Sequence, residues 1–170
     1  VMGIYFKLQT FLYMPSNGIV QGLRPIISCN FGARRYDRMW EAIKRSIAAV
    51  AGIMAFGMVL CWLWPEQIMA LFDDDVVLLA VGAQALPIIS LGFLVSAVGV
   101  IGSGVMEALG RGMASLLISL LRQFLLTVPL AWILAEWSGI NGVWMALPLA
   151  EALAFLCASL LLWRLYRENR

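Results

Sequence analysis

The chain has 170 residues, 62% of them hydrophobic and only 13% charged, with a formal net charge of +2 and no histidine. Ordinary soluble domains are roughly 45–50% apolar and about 25% charged, and a mean hydropathy of +0.89 excludes a water-surrounded fold. These features point to an all-α, polytopic membrane helix bundle.

Predicted elements follow from charge-free stretches, because a helix needs about 20 apolar residues to cross a hydrocarbon layer of about 30 Å. Residues 2–31 form the weakest span, since Lys7, Gln9, Asn17, Gln21 and Arg24 interrupt it together with Pro15 and Pro25. Its aliphatic and aromatic content still suits a helix packed among helices, with the polar side chains facing protein or a wet cavity rather than lipid. Residues 46–64 carry no charge and stop at Pro65, a clear span. Residues 76–106 are again uncharged, and at about 1.5 Å per residue such a helix is longer than the layer, so a bend near Pro87 is expected. Residues 113–135 are apolar apart from Arg122, and residues 143–163 apart from Glu151. Pro87, Pro129 and Pro148 each remove a backbone donor inside a span and mark expected kinks.

The five-span count can be tested against the connections, because cytoplasmic loops collect Lys and Arg. The connection at 32–45 holds Arg34, Arg35, Arg38, Lys44 and Arg45 against Asp37 and Glu41, and reads as a cytoplasmic basic loop. The next, at 65–75, has Glu66 and the run Asp73, Asp74, Asp75 with no basic residue. Arg111 makes the turn at 107–112 cytoplasmic, the 136–142 connection has no basic residue, and Arg164, Arg167 and Arg170 place the tail inside. Five crossings then put the start of the chain outside, and the chain reads as truncated at its front. Orientation is the plainest role for the basic loop. Anionic lipid headgroups suit it better than nucleic acid in a transmembrane setting.

Several motifs now carry a resemblance. "GIVQGLRPIISCNFGARRYDRM" at 18–39, "LFDDDVVLLAVGAQALPI" at 71–88, "MEALGRGMASLLISLLRQ" at 106–123 and "GINGVWMALPLAEALAF" at 139–155 follow one another as in the multidrug and toxic compound extrusion (MATE) transporters. No single motif is specific; their order over nearly the whole chain is. The chain resembles helices 8–12 of these twelve-helix exporters, most of the C-terminal lobe. The resemblance implies secondary active efflux of organic cations by cation-coupled antiport with alternating access, driven by a proton or sodium gradient, in a prokaryotic inner membrane. It also implies an absent partner, the N-terminal lobe. Some relatives carry an acidic coupling residue in the tenth helix. Residues 76–106 have none, so coupling is expected from the N-terminal lobe. Two other readings stand beside efflux: a lipid-linked sugar flippase of the related superfamily, and a non-transporting five-helix subunit.

Charges within the layer are expensive and are functional candidates by default. Arg122 lies eleven residues past Arg111, and Glu151 nine past Gly142, so both fall roughly 13–16 Å deep, near the midplane. On consecutive antiparallel helices they are expected to pair. A structural tie is one role for the pair; titration of Glu151 during transport is another. Arg24 is placed to snorkel to the cytoplasmic interface, while Lys7 either snorkels outward or lines a central cleft with Gln9, Asn17 and Gln21. The small residues Gly92, Ser96, Gly99, Gly102, Ser103 and Gly104 mark a helix that neighbours approach closely. Cys29, Cys61 and Cys157 are spread without metal-ligand spacing, and no phosphate-binding Gly-Lys-Ser/Thr loop occurs, so neither a zinc site nor ATP-driven transport is indicated and no cofactor is expected.

Overall fold

The computed structural model describes residues 2–72 and 76–169, and every regular element among them is helical. The acidic run Asp73, Asp74, Asp75 and the terminal Arg170, used above to orient the chain, lie outside the described residues. The elements are α1 (Met2–Gly32), α2 (Tyr36–Leu63), a short α3 (Pro65–Ala70), α4 (Val76–Ala108), α5 (Gly112–Leu120), a π-helical turn (Leu121–Leu125), α6 (Thr127–Ser138) and α7 (Ile140–Glu168). Among the described residues, four stretches are long and apolar enough to cross a membrane: Tyr36–Leu63, Leu79–Ala108, Gly112–Ser138 and Ile140–Glu168. The fifth long helix, α1, spans 31 residues and packs against α2 and α4.

α4 is the hub. It packs most extensively on α7, then on α2 and α1, and its Ala85, Leu86, Ile89, Phe93, Ala97, Ile101 and Val105 are all buried. The approach is close because α4 is small where α7 crosses it. A Cβ on Gly92 would stand 3.3 Å from Pro148 Cα, and one on Gly102 would stand 3.2 Å from the Ala158 methyl. Small residues of this kind let helix backbones gain dispersion contacts that lipid cannot offer. The expected bend at Pro87 leaves no break, and α4 runs through it as one helix.

Element ends differ from the charge-based boundaries. The second helix begins at Tyr36 rather than at residue 46, so Arg38, Lys44 and Arg45 belong to α2, and only Arg34 and Arg35 lie in the connection. Charge marks where lipid ends; it does not stop a helix, and Asp37 in the first turn of α2 suits the positive end of the helix dipole. For the same reason α7 continues through the basic tail to Glu168. The predicted 136–142 loop shrinks to a reversal at Gly139, whose φ of 60° and ψ of −139° form a backbone conformation open essentially to glycine alone. The α1–α2 connection closes with Arg35 N–H donating to Asn30 O (2.8 Å) and Arg34 N–H to Phe31 O (3.1 Å). This helix end places Arg34 at φ 55°, where glycine is usual. The α4–α5 turn closes with the same pattern, and there Gly110 occupies the left-handed position at φ 73°.

Candidate functional site

Gln9, Thr10, Tyr13 and Asn17 recur at helical spacing and place a polar face on α1. That face explains why α1 falls short of the hydropathy of the other spans. It borders a cavity of about 770 Å³ whose walls come from α1, Val100 of α4, Arg122, Gln123 and Thr127 of the interrupted helix, and Leu147 and Glu151 of α7.

Arg122 reaches the cavity from the π-helical turn. Pro129 follows one turn later and has no N–H for the Leu125 carbonyl, which loosens the α-helical ladder at this point. The chain takes up the slack by widening, with Leu126 N–H donating to Leu121 O (3.2 Å) and the Thr127 hydroxyl donating to Arg122 O (3.0 Å). Single π-turns inside helices concentrate at functional sites. The Arg122 side chain lies along α4 where Gly99 leaves space, for a Cβ there would stand 3.7 Å from its Cδ.

The expected pair forms, loosely. Arg122 Nε stands 3.8 Å from Glu151 Oε1, with the two side chains 15% and 11% exposed. At that separation the contact is an ion pair and not a hydrogen bond. Glu151 Oε2 is buried with no hydrogen-bond partner. The Arg122 guanidinium also lies 5.4 Å from the Tyr13 ring centroid, within cation–π range. Arg122 therefore joins three helices, by charge through Tyr13 of α1 and Glu151 of α7 and by packing against α4 at Gly99.

Of the residues singled out from sequence, Gln9, Asn17, Arg122 and Glu151 share this cavity, whereas Lys7, Gln21 and Arg24 are absent from its walls. Lys7 Nζ lies 5.9 Å from the Phe72 ring centroid, and Gln21 is exposed. Arg24 does not snorkel alone: it is hydrogen-bonded and ion-paired to Glu107. Glu107 also accepts from the Ser115 hydroxyl (2.9 Å), and the Ser28 hydroxyl donates to Ala108 O (2.8 Å), so this cluster latches α1 to the α4–α5 turn. Arg111 pairs with Glu168 at 2.7 Å and ties the same turn to the end of α7. Lys7 and Arg24, the cations of α1, thus add no positive charge to the cavity wall. Tyr13, Thr10, Gln123 and Thr127 also line the cavity and are not among the residues singled out from sequence. The helical spacing of polar residues on α1, and Pro129 on the interrupted helix, are the signals that point to them. Among the described residues no three acidic, Cys or His side chains converge to hold a metal ion.

A sequence profile of the family named MatE matches residues 1–133, well over half of the chain. The chain belongs to the MatE family. Proteins named multidrug export protein MepA are similar: the one from Staphylococcus saprophyticus is 26% identical over 163 residues, covering 96% of this chain and 36% of its own length, and the one from Staphylococcus aureus strain N315 is 27% identical over the same coverage. Among solved structures, the MATE multidrug transporter DinF-BH superposes with a TM-score of 0.85 at 30% identity, covering 96% of this chain and 37% of that one. An outward-facing multidrug resistance MATE family transporter of the MOP superfamily shares the fold, with a TM-score of 0.88 at 18% identity. This MatE chain spans a little over a third of the length of these relatives. The relatives it matches are named as multidrug export proteins and multidrug transporters.

Proposed function

We propose that the chain contributes helices 8–12, in the C-terminal lobe, to an antiporter that exports organic cations by alternating access, driven by a proton or sodium gradient, with its C-terminus on the cytoplasmic side of a prokaryotic inner membrane. The N-terminal lobe supplies the opposing wall of the cleft, since alternating access requires two halves that rock about a shared site. One observation supports this reading most: a cavity of about 770 Å³ lined by aromatic, amide and charged side chains, a lining suited to amphipathic cargo. Within that cavity the Arg122–Glu151 pair is a structural tie, and ion coupling runs through the other lobe.

The test is efflux of a cationic dye from cells expressing the complete transporter. Efflux should stop when a protonophore or sodium removal collapses the driving gradient. Export that survives both treatments would refute secondary transport. Glu151→Gln should lower the amount of folded transporter while leaving the shape of the pH profile of efflux per molecule unchanged. A shifted profile would make Glu151 part of the coupling machinery instead.

A further inference from the structure

At the end of the bundle where α1 turns into α2 and α7 finishes lies a second cavity of about 620 Å³, lined by Arg34, Arg35 and Arg38 together with Trp40 and Tyr166. It is separate from the transport cavity and shares no residue with it. The acids of this end are mostly committed: Glu41 holds Arg45, Glu107 holds Arg24 and Glu168 holds Arg111. Arg34, Arg35 and Arg38 enter no ion pair or side-chain hydrogen bond among the described residues. Asp37 is the single carboxylate in the wall, which leaves an excess of positive charge. The wall is built rather than loose. Trp40 and Tyr166 meet edge to face at 5.3 Å between centroids, and the hydrogen-bonded helix end holds Arg34 in the left-handed region.

The face of α7 that leads away from Tyr166 points to the ligand. Leu153, Leu156, Leu160 and Trp163 are all exposed and recur at spacings of three and four, so they form one apolar stripe along α7. Tyr166 follows one turn beyond Trp163. From Leu153 to Trp163 the stripe rises about 15 Å, the depth of one leaflet of a roughly 30 Å core. Arg167 lies 4.9 Å from the Trp163 ring centroid and caps the stripe at its polar end. A free anion would use the guanidiniums and leave the stripe idle. A phospholipid uses both.

We propose that Arg34, Arg35 and Arg38 form a binding site for the headgroup of an anionic phospholipid whose acyl chain lies along the α7 stripe. Guanidiniums suit phosphate because their planar donors match its oxygens, and the aromatic pair walls the site at interface level, where Trp and Tyr are favoured. Lipid in this site bridges the α1–α2 connection to the end of α7.

The test uses the intact protein in detergent micelles, with retained lipid counted by native mass spectrometry after addition of phosphatidylglycerol or phosphatidylcholine. Wild type should retain phosphatidylglycerol preferentially. Arg34→Gly and Arg38→Gln should each weaken retention about fivefold, the effect of one basic residue at an anionic surface. Arg34→Gly is the informative variant, because glycine is at ease at that φ and the thermal stability of the lipid-free protein should hold. Lys44→Gln removes the same charge from an exposed position of α2 outside the cavity and should leave retention unchanged. Three results would overturn the proposal: no preference for the anionic lipid, an equal loss in Lys44→Gln, which would mean diffuse attraction, or displacement by millimolar inorganic phosphate, which would mean a soluble anion site.

Discussion

α4 and the stretch Gly112–Ser138 are both apolar enough to cross a membrane, yet their surroundings are opposite. In the most apolar window of α4, 67% of residues are buried within the protein, against 6% for Gly112–Ser138. Hydropathy cannot separate the two, because lipid and protein interior are about equally apolar. Small residues can. α4 meets its neighbours at Gly92, Gly99, Gly102 and Gly104, while α5, the π-turn and α6 present Leu116, Leu117, Phe124, Val128, Trp132 and Ile133 outward. α4 stays continuous and lets partners approach; the peripheral helix breaks into a π-turn and sends Arg122 inward. Its backbone nears α7 beside the Gly139 reversal, where a Cβ on Gly142 would stand 1.9 Å from Leu134 O, and Arg122 adds a tie further along.

The largest effect should come from cutting that tie. Glu151→Leu leaves the largely covered Arg122 guanidinium, 15% exposed, without its carboxylate, and breaking a buried pair by removing one partner costs up to about 3–5 kcal/mol. Thermal unfolding in detergent should show this loss, and Arg122→Leu should show a similar one. The double variant should recover most of it, since two apolar side chains leave no unpaired charge. If each single variant costs less than the packing change alone, the peripheral helix is held by something other than the ion pair.

Next in size is the central helix. Gly92→Val places methyl groups where even a lone Cβ would stand 3.3 Å from Pro148 Cα and 3.4 Å from Glu151 Cγ. The Pro148 contact is backbone and cannot rotate away, so overpacking should cost about 1–3 kcal/mol. Because Glu151 is the other neighbour, the cost should shrink when measured in a Glu151→Ala background, a coupling that a double-mutant cycle reads directly. An unchanged cost would place the clash entirely at Pro148.

Much of this architecture was legible in the sequence, and the physical reason is that lipid punishes charge. The apolar spans and the pairing of Arg122 with Glu151 follow from counting residues between charges. The hub role of α4 was hinted at by its glycines and serines. Helix ends were misplaced because charge tracks the expected membrane boundary, whereas α2 and α7 continue as helix through their basic ends. The π-turn escaped because a proline predicts trouble in the preceding turn without saying whether the helix bends, as was expected at Pro87, or widens, as it does before Pro129. Tyr13 escaped because an aromatic ring on α1 reads as packing content, although its place one turn from Gln9 and Asn17 marked the same face.

The smallest effect is the sharpest test of the contrast. Leu86 of α4 is 1% exposed and Leu117 of α5 is 46% exposed, yet both lie in spans that sequence alone treats alike. Leu86→Ala should cost about 2–5 kcal/mol by opening a cavity the surrounding helices fill only partly. Leu117→Ala should stay within about 0.5 kcal/mol, because lipid or detergent tails flow into the space the side chain leaves. Unfolding midpoints of the two variants in one detergent read the difference without any assumption about transport. Should Leu117→Ala approach the cost of Leu86→Ala, the outer face of α5 is covered by protein in the assembled transporter rather than by lipid, and the low burial of this helix is a property of the isolated chain.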